Sequence, residues 1–329
     1  MELVAKRTLR LLSGRTHLSL AEEIAGCLDV ELTDANLVDF ADSEMRCRFG
    51  QSVRGADVFI VQTHAASIGR SVNDSIMEQL IMIDAAKRAS AKRITAVCPL
   101  FGYSRQDRKA EGREPITAKL VADMLRVAGA HRVLSVDLHS GQIQGFFDGP
   151  FDPLTAMPVL VDHLSANLPA DMVIVAPDAG RVKVADRFAQ HLHANLAIVH
   201  KRRPKGTVAT VEAGDVVGAE FVEGHSCVLV DDMIATGSTI MAAAEQLKDH
   251  GATDIWVVAT HRIFSGPAIA RLQKSPIDRV IVTNTVPLPA EKAIDKIEVL
   301  SVAGVIAAAI NAVFEDTSVS EIFGGENQT

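Results

Sequence analysis

The sequence is poor in aromatic residues: one Trp, one Tyr and 12 Phe make up 4 % of 329 residues. Stacking platforms for nucleic-acid bases are therefore scarce. Positive charge is also in deficit, with 33 Lys and Arg against 41 Asp and Glu, a formal net charge of −8. Such a chain is not built to neutralise a nucleic-acid backbone, and any phosphate site must be a local basic patch. No apolar run is long enough to span a bilayer. The longest, residues 299–314, is interrupted by Ser301 and Asn311 and reads as a packed helix. Residues 1–10 alternate charged and apolar types without the apolar stretch of a secretory signal, so a cytoplasmic protein is expected. The four cysteines, Cys27, Cys47, Cys98 and Cys227, lack metal-ligand spacing and are expected as buried, reduced thiols. Neither a Walker A motif nor a Gly-x-Gly-x-x-Gly fingerprint occurs, and no Ser-His-Asp or Cys-His arrangement is found. Ordinary P-loop, dinucleotide and covalent-nucleophile chemistries lose their main support.

What is present is an alternating pattern. Short β-rich runs at 58–62, 94–99, 133–138, 172–176, 227–232, 255–260 and 280–283 are separated by helical stretches. That alternation predicts an α/β fold with parallel sheets. Helices are expected at 75–91, at 117–127 with Gly129 as a stop, and at 239–250 with Gly251 as a stop. An apolar fraction of 48 % over this length suits two domains. The boundary is placed near residue 155, where Gly149, Pro150, Pro153 and Pro158 punctuate a stretch of little periodicity, giving domains 1–155 and 156–329.

In an α/β sheet the ligand crevice lies beyond the carboxyl ends of the strands. Three endings stand out: Asp137-Leu138-His139, Pro177-Asp178-Ala179-Gly180, and the segment from Asp231-Asp232 to Ala235-Thr236-Gly237-Ser238-Thr239. In the third, small residues let backbone N–H groups turn toward an anion, hydroxyls add donors, and the following helix contributes its positive end. Asp231 and Asp232 would repel phosphate but suit ribose hydroxyls. On an ideal strand they point to opposite faces, so both reach one sugar only where the strand has begun to turn. The competing reading is a Thr and Ser helix cap beside solvated aspartates.

That segment resembles the phosphoribosyl-binding signature of the phosphoribosyltransferase fold. Further segments extend the likeness: Ser52-Val53-Arg54-Gly55, Phe101-Gly102-Tyr103-Ser104-Arg105-Gln106-Asp107-Arg108-Lys109, Arg113-Glu114-Pro115-Ile116-Thr117, Gln142-Ile143-Gln144-Gly145-Phe146-Phe147, Lys201-Arg202-Arg203-Pro204 and Ser265-Gly266-Pro267. As an ordered set over about residues 36–323 they resemble the ribose-phosphate pyrophosphokinase family, of the phosphate-activated bacterial type.

The resemblance implies two phosphoribosyltransferase-like domains, each a mostly parallel sheet flanked by helices. It implies a transferase, a kinase of nucleotide biosynthesis that moves the β,γ-diphosphate of Mg-ATP to the anomeric hydroxyl of ribose 5-phosphate. The products are 5-phosphoribosyl 1-diphosphate and AMP. By the same resemblance Phe40, Asp42 and Glu44 take the adenine, in a hairpin-like loop offered to a neighbouring subunit, and Arg105 and Gln106 take the ATP phosphates. His139 and Asp178 fall where the family holds magnesium or its waters. Asp231, Asp232, Ala235, Thr236, Gly237, Ser238 and Thr239 bind ribose 5-phosphate, and Lys201 and Arg203 belong to a catalytic loop that closes over the transferring phosphates. Ser52, Arg54, Gln144, Ser318 and Ser320 match positions that bind regulatory phosphate or ADP, with inorganic phosphate as the implied activator. The implied partners are ATP, ribose 5-phosphate and copies of the same chain in a homohexamer, with neither nucleic acid nor membrane. A non-catalytic regulatory paralogue is the alternative.

Five positions depart from the family pattern, among them Pro153, which replaces a polar residue near the regulatory positions and counts against ADP inhibition. The loop has Ala235 and Ser238 where aspartate and glycine are common, so Ser238 is expected to take a glycine's backbone angles. Ser43 replaces a glycine between Asp42 and Glu44, Arg181 stands where many members have a second glycine, and the loop 63–73 is longer than the pattern.

Overall fold

The computed structural model describes residues 7–67, 69–200 and 215–325. The chain divides into two compact units. The first reaches to Thr155 and also takes Thr285–Pro287 and the stretch from Val302. The second comprises Ala156–Asn284 and Leu288–Ser301. The expected second domain, 156–329, is therefore not one continuous piece.

In the first unit the strands are β1 (Leu9–Ser13), β2 (Val38–Asp39), β3 (Met45–Arg46), β4 (Asp57–Val61), β5 (Arg93–Cys98), β6 (Arg132–Val136) and β7 (Phe151–Leu154). Its helices begin with α1 (Leu18–Leu28), α2 (Val72–Arg88) and α3 (Thr117–Ala128). Five strands form a parallel sheet in the order β1-β4-β5-β6-β7, while β2 and β3 make a separate antiparallel hairpin. Parallel strands covered on both faces need unbroken apolar runs, and every residue of β4 is buried. Helix α2 starts at Val72, three residues before the expected Ser75, because Ser71 and Asp74 form a reciprocal capping box. Two strands of this parallel sheet escape the sequence pattern. β1 lies in the alternating charged stretch, and β7 carries Pro153 inside the segment read as a boundary. Proline is tolerated there because β7 is the edge of the sheet.

In the second unit the helices are α4 (Met157–Asn167), α5 (Val182–Leu192), α6 (Ser238–Asp249) and α7 (Ala268–Lys274). The strands are β8 (Val173–Ala176), β9 (Asn195–Val199), β10 (Val216–Val217), β11 (Cys227–Ile234), β12 (Ile255–Arg262), β13 (Arg279–Thr283) and β14 (Ile297–Leu300). They form one sheet, β10-β9-β8-β11-β12-β13-β14, parallel except at β10. Strand β11 runs two residues beyond the expected end because β12 is equally long and pairs with it as far as Ile234 and Arg262.

The last helix, α8 (Ala303–Phe314), belongs to the first unit and packs on α1, burying Ile306, Ile310 and Val313. The apolar run 299–314 is thus not one helix, since its first residues close β14. Just past α8, Asp316 meets Arg7 at 2.7 Å and Arg93 at 2.5 Å. Both arginines also grip buried Asp57 at the start of β4, at 2.9 and 2.6 Å.

All four cysteines are free, but only Cys98 and Cys227 are buried. Burial pushes both of those thiols up to about 12. The expectation fails at Cys27, exposed on the solvent side of α1, and at half-buried Cys47. Among the described residues no helix is long and apolar enough to cross a membrane.

Candidate active site

The end of β11 brings acidic, basic and hydroxyl side chains together. Strand β11 continues straight through Asp231 and Asp232, yet the two carboxylates converge on one guanidinium. Arg181 places Nε 3.2 Å from Asp231 Oδ1 and Nη2 3.2 Å from Asp232 Oδ1. Both side chains thus reach one guanidinium without a break in the strand. Burial, followed by repulsion from Asp232, pushes the Asp231 carboxyl up to about 8, against the opposing pull of Arg181. The two acids share one counter-charge, and their oxygens can still accept hydrogen bonds from vicinal hydroxyls.

Two residues past β11 the chain bends into the loop Thr236–Ser238. Gly237 takes φ +75°, while Ser238 already lies in α6. The left-handed angles expected of Ser238 thus fall on the glycine beside it, where they are inexpensive. The hydroxyls of Thr236 and Ser238 stand 3.2 Å apart at the first turn of α6. Arg271, from α7, donates to Thr236 O at 2.9 Å and to Ser238 Oγ at 2.7 Å. Ser265 N–H donates to Ala235 O at 2.8 Å. The loop is therefore fixed from outside rather than by its own cap, and it presents backbone and hydroxyl donors at a helix N-terminus. Asp178 sits just after β8, where its Oδ1 accepts from Gly180 N–H at 3.0 Å.

In the first unit Phe40, Asp42 and Glu44 form the tip of the β2–β3 hairpin. Phe40 is 50 % exposed. The tip is closed by its own bonds: Phe40 N–H to Glu44 O at 2.8 Å, Ser43 N–H to Phe40 O at 2.9 Å, and Glu44 N–H to Asp42 Oδ1 at 3.2 Å. Ser43 takes φ +72°, the conformation a glycine would hold without strain. Arg105 and Gln106 are exposed on the loop after β5. Gln106 is tied to the start of α3, accepting from Thr117 Oγ1 at 2.6 Å and, through its carbonyl, from Ala118 N–H at 3.2 Å. Beneath that loop, buried His64 accepts from Gly102 N–H at Nδ1, 3.0 Å, which leaves Nε2 to donate to Gln79 Oε1 at 2.8 Å. Desolvation pushes the His64 imidazole down to about 4, so it stays neutral.

His139 is half-buried beyond the end of β6. Gln144 lies in the short helix Gly141–Phe146, Ser52 and Arg54 are exposed before β4, and exposed Ser318 and Ser320 share a bond of 3.0 Å between their hydroxyls. Lys201 and Arg203 lie outside the described residues. Sequence reasoning missed two contributors. Arg181 was visible only as an arginine in place of a glycine. Arg271 gave no signal, being a basic residue late in an ordinary helix.

Comparison with known proteins shows the family of the chain. Residues 9–129 match the model of the N-terminal domain of ribose phosphate pyrophosphokinase, and residues 212–324 match the phosphoribosyl synthetase-associated domain. A ribose-phosphate pyrophosphokinase of Streptomyces avermitilis is 52 % identical over 97 % of both chains. One of Bifidobacterium longum is 51 % identical over 96 % of this chain and 93 % of its own. The crystal structure of phosphoribosylpyrophosphate synthetase from Mycobacterium smegmatis is similar with a TM-score of 0.88 and 48 % identity, over 94 % of this chain and 100 % of that one. Likeness of this identity over nearly the whole of both chains makes the protein an enzyme of the transferase class. Within that class, the chain belongs to the ribose-phosphate pyrophosphokinase family.

Proposed function

We infer that this enzyme transfers the β,γ-diphosphate of ATP to the anomeric hydroxyl of ribose 5-phosphate, releasing AMP. The observation that carries the reading is the end of β11. There an acid pair able to accept from ribose hydroxyls runs within three residues into a cradle able to hold a phosphate. Asp231 and Asp232 take the sugar, and Ala235 to Thr239 take its 5-phosphate. Retention of both groups favours catalysis over a regulatory paralogue.

Phe40, Asp42 and Glu44 take the adenine, the ring stacking while the acceptors meet the exocyclic amine. Arg105 holds phosphate oxygens through a bidentate fork, beside Gln106. Lys201 and Arg203 deliver positive charge to the transferring group. Removal of either lowers turnover far more than substrate binding if that is their role.

His139 and Asp178 are the residues that would hold magnesium or its waters. The donor set fits. A carboxylate oxygen such as Asp178 offers is the donor preferred by a hard cation that keeps most of its waters. When bound, magnesium would neutralise charge on the phosphate oxygens. Ser52, Arg54, Gln144, Ser318 and Ser320 are the candidates for an activating phosphate site, in a cytoplasmic homohexamer.

Phosphorus NMR of the protein with ATP, ribose 5-phosphate, magnesium and inorganic phosphate tests the reading. AMP and a ribose 1-diphosphate are expected to grow together. Intact substrates over a range of phosphate and magnesium concentrations would overturn it.

A further inference from the structure

The hairpin whose tip carries Phe40 is only two residues long in each strand, β2 and β3, and such a ribbon is not stable unaided. Something must hold its base. Asp39 and Met45 are cross-strand partners there, and Arg70 reaches both. Its Nη2 donates to Asp39 Oδ2, and its Nη1 lies 3.5 Å from Met45 Sδ. Arg15 grips the same carboxylate, with Nη2 at 2.8 Å from Oδ1 and Nη1 at 3.0 Å from Oδ2.

Both arginines are anchored in turn by Glu78 of α2, whose side chain is 1 % exposed. Arg15 donates to it from backbone N at 2.6 Å and from Nε at 2.7 Å. Gln62 adds Nε2 at 3.0 Å, and Arg70 Nη1 stands 3.7 Å away. Two guanidiniums thus balance two carboxylates, one deep in the unit and one on the hairpin.

Arg70 owes its place to the longer loop noted in the sequence. Ser67 and Arg70 exchange both backbone hydrogen bonds, at 3.1 and 2.9 Å, around Gly69 at φ +73°, and the next residue, Ser71, caps α2. The backbone of Arg70 is fixed on both sides before its side chain reaches out.

We propose that Asp39, Arg15 and Arg70 are positioning residues for ATP. With Glu78 they form a charge quartet that clamps the β2–β3 hairpin in the pose from which its tip meets the adenine. None of the four needs to touch the nucleotide. The quartet acts on Phe40, the residue next to Asp39.

This inference rests on the reading of the hairpin tip as the adenine site, and the two fail differently. The test is steady-state kinetics of Phe40→Ala, Asp39→Ala, Arg70→Ala, the double variant Asp39→Ala with Arg70→Ala, and Asp39→Glu, with thermal midpoints alongside. Asp39→Ala and Arg70→Ala are expected to raise KM for ATP about tenfold with kcat and KM for ribose 5-phosphate nearly unchanged. The double variant should be no worse than Asp39→Ala alone, because loss of that carboxylate already removes the contacts of both arginines to it. Asp39→Glu should recover most of the loss. If Phe40→Ala raises KM for ATP while the tether variants do not, the clamp is refuted and the adenine reading stands. If Phe40→Ala leaves KM for ATP unchanged, both fall. Parallel losses for both substrates with a lower melting point would also overturn positioning, since they indicate a merely structural bridge.

Discussion

Asp231 is a carboxyl group held where ionisation is unfavourable, and that has a sign. Its pKa is raised in the folded chain relative to the usual carboxylate value. The folded state therefore keeps a proton that the unfolded state gives up, and the stability contribution present at low pH is lost as pH rises toward about 8. Asp231→Asn carries no charge to bury. Its melting point should gain on the parent as pH goes from 5 to 8.5, while kcat/KM for ribose 5-phosphate falls about a hundredfold. A constant difference in melting point across that range would contradict the assignment. His64 works in the opposite direction. Its folded pKa, about 4, lies below the unfolded 6.5, so stability present above 6.5 is lost as pH falls toward 4, by about 3 kcal/mol in all. His64→Gln should flatten the acid limb of a melting-point profile. An unchanged slope would place the acid sensitivity elsewhere. The chemical types of Asp231 and Asp232 were readable from the chain, but the raised pKa of Asp231 and the counter-ion that both acids share were not. Arg181 comes from beyond a different strand, β8, and side-chain convergence across a sheet leaves no trace in local spacing.

Two elements depend on glycines for distinct reasons. A Cβ at Gly102 would lie 2.9 Å from His64 Cβ and 3.0 Å from Ile76 Cδ1, so the loop bearing Arg105 and Gln106 sits flush on the core. Gly102→Ala must lift that loop. The expected cost is about 1–3 kcal/mol of stability, with a raised KM for ATP, readable by denaturant titration and kinetics. At Gly237 space is not the constraint, since the nearest atom to an added Cβ is 4.0 Å away, but φ is +75°. Gly237→Ala should cost roughly 1–2 kcal/mol and weaken ribose 5-phosphate specifically, whereas a loss confined to ATP would argue against the cradle. Elements were legible where period and punctuation agreed, as in α3 with Gly129, or in the buried runs of β4 and β12. β7 was hidden by its own proline, and α2 began early because a capping box outranks the start of the apolar pattern.

At the scale of the whole chain, the alternation of strands and helices announced two parallel α/β units, and the break near residue 155 was visible in its prolines. The return of the C-terminal stretch to the first unit was not, because α8 looks like any apolar helix until Asp57, Arg7, Arg93 and Asp316 are seen together. Ile306, Ile310 and Val313 each contribute about 1.5–3 kcal/mol on burial, a sum comparable to a domain's net stability. Truncation after Ser301 should therefore strip hydrogen-exchange protection from β1, β4 and α1 while β11 and β12 keep theirs. Protection lost evenly from both sheets would count against it.

The attack on the β-phosphorus of ATP can be followed directly by supplying ATP labelled at that phosphorus together with ribose 5-phosphate and magnesium. All of the label should be recovered in the sugar diphosphate, with AMP unlabelled. Label retained in ADP would mean that a single phosphoryl group is transferred, and diphosphate transfer by this enzyme would be wrong.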